Sequence, residues 1–216
     1  MFNRKKDWLT YLFALSSSII ESAAGLFLSF YLLSELGLIE IKGTTLSLET
    51  TNLNIYIYQA NIALLLSIGI IIGSIIGGQI ADKKSRRKGL YISLLITTIS
   101  LLLIVLEVSV IIIMFFAILV MFGFGLRFSS YSAIIGAMSK QHPEMDSTYF
   151  SLCNSFANFG MVIGLVISGI LFDMIDGSFA IIFIFLALIQ LACLIPFLLL
   201  DKQDYEINLR NSKKIK

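Results

Sequence analysis

The chain has 216 residues, of which 57% are hydrophobic and only 14% charged, and its formal net charge is +2. Soluble domains carry about a quarter of their residues as Asp, Glu, Lys and Arg, so this composition, with a mean hydropathy of +0.91, excludes that class and reads as an integral membrane protein. Two Cys and one His make neither a disulfide framework nor a metal site, and the small positive charge gives no reason to expect a nucleic-acid partner.

Six apolar runs follow one another, at 8–36, 56–81, 90–106, 109–139, 149–172 and 179–200. Each reaches or nearly reaches the ~20 residues that a helix needs to cross the hydrocarbon at about 1.5 Å per residue. The expectation is an all-α membrane domain of six transmembrane helices, I to VI, with a basic tail over 202–216. Arg4, Lys5 and Lys6 precede helix I, whose apolar run is too long for a signal-peptide core and lacks a small-residue cleavage site, so helix I is expected to remain attached. Glu21 lies inside it. The segment from Gly37 to Asn54 is polar and threonine-rich, with Glu40 and Glu49, and reads as a loop without chemistry of its own.

Helix II carries Gly69, Gly73 and Gly77, and helix V carries Gly160, Gly164 and Ser168. Four-residue spacing puts such small residues on one helix face, where backbones approach closely. Helix IV holds Arg127, with Tyr131 one turn on, and helix V adds Asn154 and Asn158 four residues apart. These three polar residues line an exit path or serve as interhelical hydrogen-bonding glue. Helices III and VI are the plainest, VI having Gln190 as its one strongly polar residue, and are expected to face lipid. Trp8, Tyr11, Tyr56, Tyr58 and Tyr149 fall at helix ends, where aromatic belts form. Asp173 and Asp176 read as a turn or cap, and His142 falls in a loop.

Of the 16 Lys and Arg residues, 14 lie before helix I, between II and III, between IV and V, or after VI, whereas Lys42 alone lies in a loop on the other side. The positive-inside rule then puts both termini in the cytoplasm and the chain in the plasma (cytoplasmic) membrane. The helix types recur in order: I and IV hold an intramembrane charge, II and V a small-residue face, III and VI neither. That is the pattern of a 3+3 inverted repeat.

The loop after helix II reads GGQIADKKSRRKG. Gly78, Ala81, Asp82, Lys83, Arg86 and Arg87 resemble the loop signature of the major facilitator superfamily, G-x-L-A-D-R-x-G-R-[RK], with Ile80 for Leu, Lys83 for Arg and Ser85 for Gly. The run GMVIGLVISG in helix V is similar to that family's glycine-rich fifth-helix motif, although Leu165 stands where a proline is usual, so no antiporter chemistry is carried over. From FGFGLRFSSYSA onward the chain is similar to the family's C-terminal half. The resemblance implies a six-helix half of a twelve-helix secondary transporter, working as a homodimer, a split half or a fragment. It implies a gating role for Gly78, Asp82 and Arg86 with Lys83 and Arg87 beside them, first helices that line the cavity, and second helices that pack across the interface between halves. On that pattern the glycine faces of II and V would meet between two copies.

Glu21 lies 13 residues beyond Trp8, and Arg127 lies 13 residues before Lys140, which puts both roughly 20 Å from the same boundary. A charge near the bilayer centre costs at least ~2.5–3.5 kcal/mol and normally faces a cavity or a partner. One reading makes Arg127 the anchor for an anionic solute group and Glu21 a proton-titrating carboxylate or counter-ion; the other makes them a static buried pair. No nucleophile constellation, phosphate-cradling loop or cofactor motif is found, so no enzymatic role or cofactor is expected. The expected function is secondary transport of a small polar or anionic solute by alternating access, with a coupled proton or other gradient. The alternatives are a substrate-binding membrane subunit of an ATPase-driven uptake complex and a non-transporting assembly protein.

Overall fold

The computed structural model describes residues 4–42, 45–48, 54–106 and 109–206. Six of its helical spans are long and apolar enough to cross a membrane. The first comprises α1 (Lys5–Ser18) and α2 (Glu21–Glu35), and the next four are α3 (Asn54–Lys83), α4 (Arg86–Ile104), α5 (Val110–Ser139) and α6 (Asp146–Met174). The sixth runs through α7 (Phe179–Ile189), a 3-10 turn (Gln190–Cys193) and α8 (Leu194–Leu199), after which comes the short α9 (Lys202–Tyr205).

Two spans expected to be continuous are therefore interrupted. Ser16 and Ser17 donate from their hydroxyls to the carbonyls of Phe13 and Ala14, three residues back, at 3.2 and 3.0 Å. Such back-bonding competes with the helical ladder, and α1 ends one residue later. Glu21 thereby becomes the first residue of α2, where the positive end of the helix dipole favours a carboxylate. In the sixth span Pro196 offers no N–H to the Ala192 carbonyl, and the chain tightens into a 3-10 turn just before it.

The segment between α2 and α3 is more than a plain loop. Ile39–Lys42 (β1) and Thr45–Leu48 (β2) pair antiparallel, with Ile39 opposite Leu48, and Ile39 is buried against the helices. Its apolar side chain gives the hairpin a foothold that the polar composition concealed. Glu49 lies outside the described residues. The turn after α6 takes positive φ at Asp176 (52°) and Gly177 (79°), which reverses the chain tightly enough to start α7.

Packing centres on α5. Both α3 and α4 lie along it, α1 lies along α6 and meets α8, and α4 meets α7. The contact of α3 with α5 is made by backbone. A Cβ at Gly69 would come within 2.6 Å of the Ile118 carbonyl, one at Gly77 within 2.8 Å of Leu126 Cα, and one at Gly73 would overlap the Phe122 carbonyl. Gly160 and Gly164 of α6 press in the same way on the Leu15 and Ile19 carbonyls, and Ser168 is buried on the same face. This corrects the expectation that these faces meet a second copy. Both are used inside the chain, because a glycine face gains most where two long helices of one chain can run together.

Buried apolar side chains form two clusters. One holds Ile20, Phe27, Leu28, Val120, Phe124 and Phe183; the other, toward the termini, holds Tyr11, Phe13, Tyr131, Tyr149, Cys153 and Phe197. Tyr11 and Tyr149 are 1% and 0% exposed and pack ring to ring at 5.5 Å. They therefore belong to the core, whereas Trp8, Tyr56 and Tyr58 are exposed as a belt requires. On α5 the first cluster stops at Phe124 and the second begins at Tyr131. Arg127 occupies the gap.

Both described ends of the chain, the α3–α4 connection and the α5–α6 connection lie on one face. Lys6 donates to Gln141 and lies 3.4 Å from Asp204, and Asp7 accepts from His142 Nε2 at 3.1 Å and from the Tyr149 hydroxyl at 3.3 Å.

Candidate functional site

Between the two apolar clusters opens a cavity of about 310 Å³, lined by Ser17, Ser18, Glu21, Arg127, Tyr131, Asn154 and Asn158 among others. Three spans build it. The break between α1 and α2 delivers Glu21, the middle of α5 delivers Arg127, and the first half of α6 delivers the two amides. A full turn of helix separates Arg127 from Tyr131, and three or four residues separate members of a pair on α5 or α6, so all of these side chains reach the same side.

Arg127 is 3% exposed. Its guanidinium carbon stands 4.7 Å from the centroid of the Phe124 ring, so the ring face supplies some attraction. Neither Nη has a hydrogen-bond partner among the described residues. Glu21 is half-buried and feels the charge of Arg127 across the cavity, yet the ion pairs among the described residues are Lys6 with Asp204 and His142 with Asp7. The structure thus brings Glu21 and Arg127 to one cavity without joining them. Tyr131 is spent differently, its hydroxyl donating to the Cys153 carbonyl on α6 at 3.3 Å. Asn154 is half-buried and Asn158 exposed; both line the cavity.

The signature loop is laid out on the face that carries the termini. Gly78 is half-buried, and a Cβ there would meet nothing within 4 Å, so its missing side chain is not needed for packing inside this chain. Asp82 and Lys83 are exposed. Asp82 acts on Arg86 through its charge, and the carboxylate hydrogen-bonded to the basic run is Glu206. It accepts from Ser85 Oγ at 2.6 Å, from the Arg87 N–H at 2.9 Å and from the Arg86 N–H at 3.3 Å, while Arg86 Nη1 donates to the Tyr205 carbonyl at 2.7 Å. Arg87 turns the other way, its Nε donating to the Tyr91 hydroxyl at 2.8 Å. Burial pushes the Tyr205 hydroxyl up to about 12, although Arg87 pulls against this, so Tyr205 enters the core as a neutral phenol.

Sequence reasoning missed Glu206, because the tail reads as basic overall and its acidic start was averaged away. It also missed Asp7 and His142. The signal for the first lay in the start of α4, where Ser85 as N-cap accepts from the Lys88 N–H and leaves the N–H groups of Arg86 and Arg87 for another acceptor. For the second pair no local signal exists, since 135 residues separate the partners.

The profile of the Major Facilitator Superfamily matches residues 10–216. No curated protein and no solved structure matches the chain. That profile spans all six membrane-crossing segments, the cavity and the signature loop. The chain is an integral membrane protein of the Major Facilitator Superfamily, a family that moves solutes across membranes.

Proposed function

We propose that the chain is a six-helix half of a secondary-active transporter, that the cavity bearing Arg127 and Glu21 is its solute site, and that a small polar or anionic solute passes by alternating access. The observation that carries this is the Arg127 guanidinium, buried with both Nη groups unspent. A charge left unpaired in a low-dielectric interior is costly, so its retention points to a partner that comes and goes. Helix exchange supports the inverted-repeat reading: α3 packs on α5 through glycines, and α6 packs on α1 through glycines, so II lies on IV as V lies on I. Among the spans α3 and α6 are the least buried, with Ile68, Ile71, Ile75, Phe159, Val162 and Val166 exposed. A second six-helix unit, another copy or a different half, would cover these sides and complete the cavity. The positive-inside distribution favours cytoplasmic termini in the plasma membrane, and Glu21 would carry a coupled proton or serve as counter-ion.

The test compares cells expressing the wild type with cells expressing equal amounts of Arg127→Gln, by untargeted mass spectrometry of intracellular and external solutes. One solute class is expected to differ between the two. Identical solute profiles would overturn the transport reading.

A further inference from the structure

The cavity holds two opposite charges that do not satisfy each other. Both Nη groups of Arg127, which lines the cavity, are buried and without a hydrogen-bond partner among the described residues. Glu21 lines the same cavity, and the two are not joined by an ion pair, although an arginine fork and a carboxylate are the most favourable pair of side chains for one. Asn154 and Asn158 add amides from α6 to the same lining.

Each class of ligand can be weighed against that arrangement. A plain anion would satisfy the guanidinium but bring a like charge toward Glu21. A plain cation would do the reverse and leave Arg127 stranded. A neutral polar solute would leave both charges unneutralised, and a charge held away from bulk water needs a counter-charge. A solute with a negative group at one end and a positive group at the other neutralises both residues and leaves the loaded cavity with no added charge. The cavity volume of about 310 Å³ stands at the lower end for small-molecule sites, which limits the solute to a small one.

We propose that the transported solute is a small zwitterion, its carboxylate held by the fork of Arg127 and its ammonium by Glu21. This rests on the cavity being the solute site. Asn154 and Asn158 would then bond the body of the solute, and Tyr131, already committed to the Cys153 carbonyl, would contribute shape alone.

The experiment uses the full chain in lipid nanodiscs and reads the thermal unfolding midpoint against matched probes. Glycine, β-alanine and γ-aminobutyrate supply zwitterions of increasing charge separation, and butyrate and butylammonium carry one charge each. At least one zwitterion is expected to bind roughly 10-fold or more tightly than either single-charge probe. Glu21→Gln is expected to abolish that preference by making butyrate as good as γ-aminobutyrate, and Arg127→Gln to remove all binding of carboxylates. Butyrate equal to the best zwitterion in the wild type, or no shift with any zwitterion, would overturn the proposal. Neither result bears on transport itself, which the solute profiles decide without choosing a probe. Should Glu21→Gln fail to fold, the wild-type comparison decides alone.

Discussion

Glu206 Oε1 accepts a hydrogen bond from the backbone N–H of Arg87 at 2.9 Å, across 119 residues of sequence. The same carboxylate takes the Ser85 hydroxyl and the Arg86 N–H, so a residue beyond the last span caps the N-terminus of α4. The tail is thereby fastened to the signature loop, and α9 becomes part of the terminal face. Replacing Glu206 with Ala should cost about 0.5–2 kcal/mol, the usual range for a lost helix cap. Amide hydrogen exchange should rise at Ser85–Lys88 and through α9 together. Unchanged exchange at α9 would show that the carboxylate does not hold the tail.

Asp82 and Gly78 should behave in the opposite way. Asp82 is exposed and the space beside Gly78 is open, so Asp82→Asn and Gly78→Leu should insert and fold like the wild type. If this loop gates the cavity, both should abolish solute movement. Normal movement by both variants would remove the gating role.

The glycine faces divide by what they touch. Gly73→Leu and Gly164→Leu place side chains into the Phe122 and Ile19 carbonyls, and overpacking of that kind costs typically 1–3 kcal/mol or more. Both should lower the unfolding temperature in detergent sharply, whereas Gly136→Leu, where a Cβ meets nothing within 4 Å, should not. For assembly, cysteines belong on the exposed sides. Ile75→Cys with Val162→Cys should crosslink between chains if two copies pair, and intramolecular products alone would argue against a homodimer.

Arg127→Gln should raise stability or leave it unchanged, because it removes a buried charge that has no ion-pair partner among the described residues. Solute movement should fall to background. A double-mutant cycle with Glu21→Gln should show coupling below about 1 kcal/mol, since no ion pair joins the two side chains. Coupling of ~3 kcal/mol or more would mean that they pair directly and would return them to a structural role.

On the terminal face, Asp7 is 1% exposed, and His142 stacks on Tyr149 at 4.7 Å while both reach its carboxylate. Tyr149→Phe should cost about 0.5–1.5 kcal/mol, the net worth of one hydrogen bond, and His142→Ala more, since it strips a buried carboxylate of a partner. Faster exchange at the start of α6 in both variants is the accompanying sign. No change in either would show that the cluster does not tie α1 to the α5–α6 connection.

The six spans, their order and the side on which the basic loops gather could be read from the residues alone, because the bilayer imposes a length and a polarity that composition records directly. The signature loop was legible too, as a local string. Tertiary structure decided everything that depends on facing. Four-residue spacing says that Gly69, Gly73 and Gly77 share a face but not that α5, and not a second copy, lies against it. Counting residues predicts one level for Glu21 and Arg127, but only the helix break after Ser18 and the rotation of α5 decided that they line one cavity with no ion pair between them. Asp7 with His142 and Glu206 with Arg87 are long-range pairs on chain ends and connections, where no periodicity constrains the side chain, so nothing short of the folded helices could bring them together.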